Sequence, residues 1–438
     1  MLNNTFCSSP WFHIRIDPEG KFLPCRWSSH KDETGYNIAS TTINEFMNSD
    51  VMRGIRTSLL NSNKLRMCSN CYYEDANKKV GGRQRQLLKS AITVKNFDKT
   101  FCASPHYELF KYSSDNAGLT TQLPVDLQID LGNTCNSACI MCTPIYSSKL
   151  SNEYVTLNRI EPTIFKLFPK VKNWVDDPAL VDKFIDELAT IPNIRYIHFL
   201  GGETLYLKSF YTICNRLIKC GLAKNISIGT TTNCTVYTDQ LVHIIKNFKH
   251  VHLGLSIESI NKINDYIRWP SNITEVTAVI DKFVKLRNAT NLHLSLRITP
   301  SIFSIFHLDT LFEFMISNQI MAESCDILQE PSCLRFELLP KNLIDQALSK
   351  INYIISKYQL SENKNIIINT RRNDLTDLVI TQVIFEYKYL LENYQIPDNI
   401  EEERYNLVKF IKAFETVHNN TIMDYLPEYE EFLRQYGY

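Results

Sequence analysis

The feature that most constrains this chain is a run of three cysteines, Cys135, Cys139 and Cys142, in the stretch LGNTCNSACIMCTP. Three thiolates so close together can wrap one small inorganic centre. Four-iron clusters prefer four thiolates, so three leave one iron with an open position. A zinc site is the alternative, but it needs a fourth ligand, and no histidine lies between Asn133 and Leu150. The spacing therefore predicts a metal or cluster site.

The composition narrows the class of protein further. The chain has 438 residues, 44% hydrophobic and 21% charged, which favours two or three packed units over disorder. Its 13 cysteines are an odd number for a disulfide framework. The 47 basic and 47 acidic residues cancel, which argues against bulk nucleic-acid binding. No apolar run is long enough to span a bilayer, and the start MLNNTFCSSPWF does not resemble a signal peptide. We therefore expect a cytoplasmic protein without membrane contacts.

Strand-like and helix-like segments alternate between residues 121 and 340, which predicts a parallel α/β barrel or open sheet with six strands. The predicted strands are 125–131, 194–200, 225–231, 251–257, 292–298 and 333–339. Residues 1–79 are mostly irregular with one hairpin, 80–120 form a polar connector, and 341–438 are mainly helical. We expect these four segments to be the units of the chain.

The predicted strands alternate polar and apolar residues, whereas buried parallel strands are usually apolar throughout. Since helices cover the outside of such a fold, the polar face is expected to point inward, into an unfilled lumen. A solvated sheet face or internal salt bridges are the alternatives. The candidate substrate contacts on these strands are Asp130, His198, Arg297, Arg335 and Glu337.

The CxxxCxxC loop after the first strand resembles that of the radical S-adenosylmethionine (SAM) enzymes. The resemblance implies a partial (β/α)6 barrel in which Cys135, Cys139 and Cys142 hold a [4Fe–4S] cluster. The open iron would bind the amino and carboxylate groups of SAM. Reductive cleavage would then yield a 5′-deoxyadenosyl radical that abstracts a substrate hydrogen. An electron donor such as flavodoxin or ferredoxin is implied as a partner.

Three further segments resemble the family's SAM-binding elements. Gly201, Gly202 and Glu203 end the second strand and match the element that holds the SAM amine. The TTN segment ending at Asn233 resembles the family's TNG, with Cys234 where glycine is usual. The stretch LGLSIESINKINDYIR resembles the fourth strand and its loop. It implies SAM contacts for three more residues, which are Ser256, Glu258 and Arg268.

Four more cysteines lie near the amino terminus: Cys7, Cys25, Cys68 and Cys71. Four thiolates suffice for one [4Fe–4S] cluster with no open iron. A structural zinc site is equally compatible with the spacing, because zinc also favours a CxxC turn. The remaining six cysteines are interpreted as ordinary small apolar residues.

The pattern C-x(9–15)-G-x4-C followed by a distant CxxC resembles the auxiliary-cluster modules of radical SAM enzymes, called SPASM and twitch. No further cysteines follow Cys71 closely, so the resemblance implies one auxiliary [4Fe–4S] cluster, as in a twitch module. Such modules usually follow the barrel, whereas this one precedes it, so it is expected to fold back across the barrel mouth. In related enzymes the auxiliary cluster receives the electron left on the substrate, which gives a net oxidation.

Three functions remain open from the sequence. The chain is expected to be an enzyme, a radical SAM oxidoreductase, acting on a small molecule. The alternative enzyme modifies a peptide or protein. A third hypothesis is a non-catalytic iron–sulfur or zinc protein. The helical C-terminal region is expected to cap the barrel, bind a partner or mediate self-association.

Overall fold

One sheet of eight strands organises the protein. The computed structural model describes residues 5–28, 34–76, 82–322, 328, 330–361 and 380–438. The strands are β1 His13–Ile16, β2 Phe22–Leu23, β3 Asp126–Asp130, β4 Tyr196–Leu200, β5 Ser227–Thr232, β6 His250–Ser256, β7 Leu292–Arg297 and β8 Met321–Ala322. Their order is β2-β1-β3-β4-β5-β6-β7-β8. All neighbours are parallel except β1 and β2.

Helices connect the parallel strands and cover one face of the sheet. The helices up to β4 are α1 Ser9–Phe12, α2 Ile43–Met47, α3 Asp50–Leu60, α4 Ser69–Ala76, α5 Gly82–Lys89, α6 Phe97–Cys102, α7 Tyr107–Asp115, α8 Ser148–Ile160 and α9 Pro178–Thr190. Those after β4 are α10 Lys208–Lys219, α11 Asp239–Asn247, α12 Ile263–Ile267, α13 Ile273–Ala289, α14 Leu308–Asn318, α15 Lys341–Lys357, α16 Ile380–Glu392, α17 Ile400–His418 and α18 Glu430–Arg434. The predicted fold class, a partial α/β barrel, is confirmed.

The two faces of the sheet differ as the alternation predicts. Leu127 and Ile129 of β3 are fully buried in the main apolar core with residues of the covering helices. Gln128 and Asp130, which alternate with them, carry polar groups on the opposite face. The helices begin at local signals, as at α9, where the Asp177 carboxylate accepts hydrogen bonds from the backbone N–H groups of Ala179 and Leu180.

The sixth predicted strand, 333–339, is wrong. This segment forms two short 3₁₀ turns, Ser332–Leu334 and Phe336–Leu338, and β8 takes the place beside β7. Leu334, Phe336 and Leu338 are all fully buried. Alternating apolar residues predict a half-buried strand, but here turns bury the same residues against the C-terminal helices. Arg335 and Glu337 therefore do not lie on a barrel strand.

The amino-terminal hairpin belongs to the barrel sheet. Strand β1 pairs in parallel with β3, with His13 opposite Asp126 and Ile16 opposite Ile129. The hairpin itself was predicted, but its place was not, because sequence patterns do not specify which distant strands pair. The hairpin covers the edge of β3 that would otherwise be open.

The predicted connector is a folded, helical segment. Helices α5, α6 and α7 lie in it, and a second apolar cluster joins them to the first residues of the chain. The members of this cluster are Phe6, Trp11, Leu87, Ile92, Phe97 and Phe110. The unit boundaries predicted at 79, 120 and 340 stay predictions. Within the described residues, no helix combines the length and apolar character that a membrane crossing requires.

Candidate functional site: a thiol-lined cavity at the carboxyl edge of the sheet

The three-cysteine loop starts where β3 ends and is fixed by backbone hydrogen bonds. Ala138 N donates to Trp269 O at 2.7 Å, and Ile140 N donates to Ile267 O at 2.9 Å. The two bonds hold the loop against the last residue of α12 and the segment just after it. The half-buried thiols of Cys135, Cys139 and Cys142 are therefore held on a preformed loop.

Burial raises the pKa of all three thiols. The pKa of Cys135 rises to about 11 and that of Cys142 to about 12, and neighbouring cysteines add to the burial effect in both. At Cys139 the positive charge of Arg268 lowers the thiol pKa and so opposes the effect of burial, because the Arg268 Nη1 lies 3.8 Å from the Cys139 sulfur. Metal-binding thiols must lose their protons, so these residues would release protons on loading.

Two glycines let the turn after β4 lie directly on the cysteine loop. Gly202 N donates to Gly132 O, and Glu203 N donates to Thr134 O, both at 3.0 Å. A Cβ on Gly202 would lie 2.2 Å from the Thr134 oxygen. Gly201 has φ +130°, which disfavours any residue with a side chain. The glycines are thus required for this contact between backbones.

Glu203 carries a buried carboxylate held by two backbone donors. Leu205 N donates to its Oε1 at 3.1 Å, and Asn233 N donates to its Oε2 at 2.7 Å. Burial raises the pKa of Glu203 to about 6, although these hydrogen bonds oppose the rise. The carboxylate lines the same cavity as the three thiols.

Asn233 links the end of β5 to the cysteine loop. Its Nδ2 donates to Asn136 Oδ1 at 2.8 Å and to Ser137 Oγ at 2.9 Å. Cys234, which stands where the resembling motif has glycine, has φ +61°. A left-handed residue other than glycine costs about 1–2 kcal/mol, which explains why glycine suits this position.

Arg268 and Glu258 form a buried ion pair beside the cavity. Arg268 Nη2 lies 2.6 Å from Glu258 Oε1, and Thr299 N donates to Glu258 Oε2 at 3.0 Å. The Arg268 Nε is buried without a hydrogen-bond partner among the described residues. The Arg268 side chain, which is 12% exposed, therefore lies at the cavity wall with its Nε unpaired among the described residues.

One cavity of about 210 Å³ collects most of the predicted SAM and cluster residues. The predicted residues on its wall are Cys135, Cys139, Cys142, Gly202, Glu203, Asn233, Ser256 and Arg268. Glu258 pairs with Arg268 from outside the wall, and Gly201 directly precedes Gly202 in the chain. The cavity is also lined by seven residues that were not predicted from the sequence: Ser137, Met141, Tyr146, Ser147, Thr231, Thr232 and Thr299. Thr231 and Thr232 lie in the TTN segment itself, which was the available signal.

The predicted substrate contacts are differently placed. His198 Nδ1 lies 3.0 Å from Tyr196 Oη, and this pair occupies the space that a side chain on Gly229 would fill. Arg297 lies over Gly254 in the same way. Gly229 and Gly254 lie on strands that neighbour these side chains. On the polar face of the sheet, the bulky side chains therefore occupy the space left by the two glycines.

Asp130, Arg335 and Glu337 are engaged in ion pairs. Asp130 is fully buried and pairs with Arg15 of β1 at 2.5 Å. Arg335 pairs with Glu337 at 3.0 Å outside the sheet. The inward orientation predicted for Arg335 and Glu337 is wrong, because it assumed a strand that does not form. Arg15 was missed, although the alternation in WFHIRI places His13 and Arg15 on one face.

The thiols of Cys25, Cys68 and Cys71 each lie within electrostatic reach of the Cys7 thiol. The pKa of Cys7 is raised by burial, and the other three thiols raise it further. All four are half-buried. Four thiols match the donor set of a second cluster, and three thiols with an adjacent carboxylate match that of a SAM-binding one. The numbers of thiols thus agree with the two predicted centres, but within the described residues no group of three or more cysteine, histidine or acidic side chains is arranged to hold a metal ion. The assignment of the ligands stays a prediction. Cys325 lies outside the described residues.

These features define an iron–sulfur type of protein, with one cysteine set at the barrel mouth and another before it. Family comparison gives two matches: the radical SAM superfamily at residues 129–299 and an iron–sulfur cluster-binding domain, SPASM, at residues 7–72. The central part of the chain therefore carries a radical SAM domain, and the members of that superfamily are enzymes. The two domains imply an iron–sulfur cluster, an auxiliary iron–sulfur cluster and SAM as cofactors.

Similar solved structures include anSMEcpe with bound AdoMet and SuiB of Streptococcus suis bound to S-adenosylmethionine. The first has a TM-score of 0.40 and 13% identity, over 54% of this chain and 61% of anSMEcpe. The second has a TM-score of 0.36 and 12% identity, over 81% of this chain and 70% of SuiB. The match thus spans less than two thirds of the length of anSMEcpe. No curated protein sequence matches the chain significantly.

Proposed function

We propose that this protein cleaves SAM reductively and uses the resulting radical to abstract a hydrogen atom from its substrate. The observation that carries this proposal is the convergence of three thiols, the Glu203 carboxylate and Arg268 on one cavity. When bound, the [4Fe–4S] cluster supplies the electron that splits SAM into methionine and the 5′-deoxyadenosyl radical. Its ligands would be Cys135, Cys139 and Cys142, and the test is formation of 5′-deoxyadenosine by anaerobically reconstituted protein with reductant.

In this proposal the residues around the thiols bind and orient SAM. The Glu203 carboxylate is placed to accept hydrogen bonds from the SAM ammonium group, and the Arg268 guanidinium at the cavity wall is placed to donate to the SAM carboxylate. Glu258 keeps the Arg268 guanidinium in position. Asn233 and Ser256 offer amide and hydroxyl groups to the rest of the molecule. The closely packed Gly202 turn keeps these groups in register with the cysteine loop.

The pKa of Glu203 predicts a pH dependence of SAM binding. The folded pKa of about 6 lies above the usual value, so the carboxylate loses its charge as the pH falls through 6, and the attraction to an ammonium group is lost. Between pH 7.5 and 5.5 the ionised fraction falls about fourfold, and SAM affinity should fall by a similar factor. Equilibrium binding without reductant measures this, because SAM is then not consumed.

Glu203→Gln should weaken SAM binding about tenfold at pH 7.5 and remove the pH dependence. Glu187→Gln is the matched control. Burial also raises the pKa of Glu187, but its Oε1 accepts from Ile43 N, away from the cavity. If Glu203→Gln binds SAM with the affinity and pH profile of the wild type, Glu203 does not hold the amine.

We further propose that the four amino-terminal cysteines hold an auxiliary [4Fe–4S] cluster that accepts an electron from the substrate, so that the overall reaction is an oxidation. Such a cluster would supply an acceptor for the electron that remains on the substrate after hydrogen abstraction, and the substrate would also release one proton. The electrostatic effect of three other thiols on Cys7 supports this assignment over scattered structural cysteines.

Replacing Cys68 and Cys71 by serine tests whether the amino-terminal cysteines are needed for product formation but not for SAM cleavage. The variant should lose about four iron per chain, keep SAM cleavage and lose product formation. Cys102→Ser is the control, since Cys102 is exposed and outside both sets. Full product from a soluble variant without the auxiliary cluster would contradict the electron-transfer role. Metal and sulfide analysis of wild type should give about eight iron per chain, whereas zinc in this module would exclude the second cluster.

For the substrate we propose a small molecule held in the lumen. The His198–Tyr196 pair and Arg297, seated over glycines, offer polar contacts there. A peptide is the alternative, and a precursor peptide is the bound partner of SuiB in one similar structure. A short precursor gene beside this one would favour the peptide. A reduced flavodoxin or ferredoxin is proposed as the electron donor, and its ability to replace dithionite in SAM cleavage tests that.

A further inference from the structure

A single buried guanidinium joins the two cysteine sets. Arg15 Nε and Nη2 lie 3.1 and 2.5 Å from Asp130 Oδ2. Its Nη1 donates to the carbonyl oxygens of Ser28 at 2.9 Å and Arg26 at 3.4 Å. Its Nη2 also lies 3.3 Å from the hydroxyl oxygen of Tyr146. The contacts reach the sheet, the turn after β2 and the cysteine loop.

Each end of this network belongs to one of the proposed cluster sites. The Ser28 hydroxyl lies 3.3 Å from the sulfur of Cys25, and Ser28 N donates to Cys25 O at 3.1 Å. Tyr146 lines the cavity together with Cys142. One path from Cys25 to the cavity therefore runs through Ser28, Arg15 and Tyr146.

The burial of the ion pair makes the network stiff. Arg15 is 7% exposed and Asp130 is fully buried. Separating such a pair leaves an uncompensated charge in a low dielectric, which is strongly unfavourable. The guanidinium of Arg15 thus stays paired with Asp130. A displacement of the Ser28 carbonyl would tilt the guanidinium about the Asp130 carboxylate and so change its hydrogen-bond geometry with the Tyr146 hydroxyl.

We propose that Arg15 is a positioning residue that couples the auxiliary site to the SAM cavity. Filling the auxiliary site fixes the Cys25–Ser28 turn, and through Arg15 it fixes Tyr146 on the cavity wall. SAM then binds more tightly when the auxiliary cluster is present. By linkage, bound SAM stabilises the auxiliary cluster by the same factor, and couplings of this kind start at about fivefold. The inference rests on the function proposed above.

A double-mutant cycle tests the coupling with SAM alone as the probe. SAM dissociation constants are measured without reductant for wild type, Cys71→Ser, Tyr146→Phe and the double variant. We expect Cys71→Ser to weaken binding about fivefold in wild type and less than twofold in the Tyr146→Phe background. Any direct effect of Tyr146→Phe on SAM affinity cancels, because the effect of Cys71→Ser is measured between two proteins that both carry Tyr146→Phe. An equal loss in both backgrounds would overturn the coupling.

Tyr436→Phe is the matched control, because Tyr436 Oη also accepts a hydrogen bond from an arginine, Arg404 Nη1, at 2.9 Å. In its background the loss caused by Cys71→Ser should remain about fivefold. Arg15→Lys keeps the charge beside Asp130 but not the planar fork, so it should behave as Tyr146→Phe does.

A second measurement needs no loss of a cysteine. A chelator is added to the protein loaded with both clusters. The spectroscopic signal of the auxiliary cluster, which is the one that does not change when SAM binds, is then followed as it decays. SAM should slow this loss about fivefold in wild type and Tyr436→Phe, but not in Tyr146→Phe. Equal protection in Tyr146→Phe would overturn the coupling alone. A wild-type protein that binds no SAM, or holds no cluster at Cys135, Cys139 and Cys142, would overturn the proposed function as well.

Discussion

Alanine at any one of Cys135, Cys139 and Cys142 is expected to abolish formation of 5′-deoxyadenosine and to remove about four iron per chain. The three thiols line one cavity, and a cluster that already leaves one iron open has no spare ligand. The auxiliary cluster should stay, because its cysteines lie on a different part of the chain. Anaerobic reconstitution followed by iron, sulfide and 5′-deoxyadenosine analysis measures all three quantities.

Cys214→Ala is the control for these variants. Cys214 is fully buried in α10 and belongs to the main apolar core. Its loss should cost some stability but leave both iron content and SAM cleavage unchanged. If one of the three loop variants keeps full iron and still cleaves SAM, the loop does not carry the cluster that the proposed function requires.

Gly202→Ala is expected to lower SAM affinity strongly, with an effect second only to loss of a loop cysteine, although it removes no functional group. The added methyl carbon would lie 2.2 Å from Thr134 O, a distance that real contacts do not reach. The turn and the cysteine loop must therefore separate, which moves Glu203 relative to the thiols. Such overpacking costs about 1–3 kcal/mol, and we expect SAM affinity to fall at least about tenfold.

Gly54→Ala provides the contrast. Gly54 lies in α3, and a Cβ there would meet no atom within 4 Å, so alanine should stabilise the helix slightly. Its SAM binding should equal that of wild type. A Gly202→Ala protein with wild-type SAM affinity would show that the close contact of the two backbones is not needed for binding. The pair of variants is compared by equilibrium SAM binding and by thermal unfolding.

Local patterns predicted much of the site. The strands β3 to β7 and the cysteine loop were found because each signal is contained in a few consecutive residues. The Gly201–Glu203 turn was found in the same way. Conversely, segment 333–339 alternates like a strand, yet it forms two turns. These turns contact helix α17, and no local pattern reveals that contact.

The contacts that join distant segments were not predictable in this way. The pairing of β1 with β3 depends on partners more than a hundred residues apart, and hydrophobic periodicity contains no information on which strands meet. Arg15 and Tyr146 were missed for that reason. Each looks ordinary in its own segment, and their importance appears only when both contact one another.

The position of β1 in the sheet also has a consequence for the order of assembly. The auxiliary cysteines are synthesised first, but Arg15, which holds the Cys25–Ser28 turn, meets Asp130 only across 115 positions of the chain. Long-range strand pairing of this kind forms late, after the intervening segment has been made. The turn beside Cys25 therefore gains its support only when β3 has emerged and paired. The amino-terminal cysteines therefore become ready to bind a cluster only when the segment that carries the loop cysteines has also folded. We expect the two clusters to be inserted together.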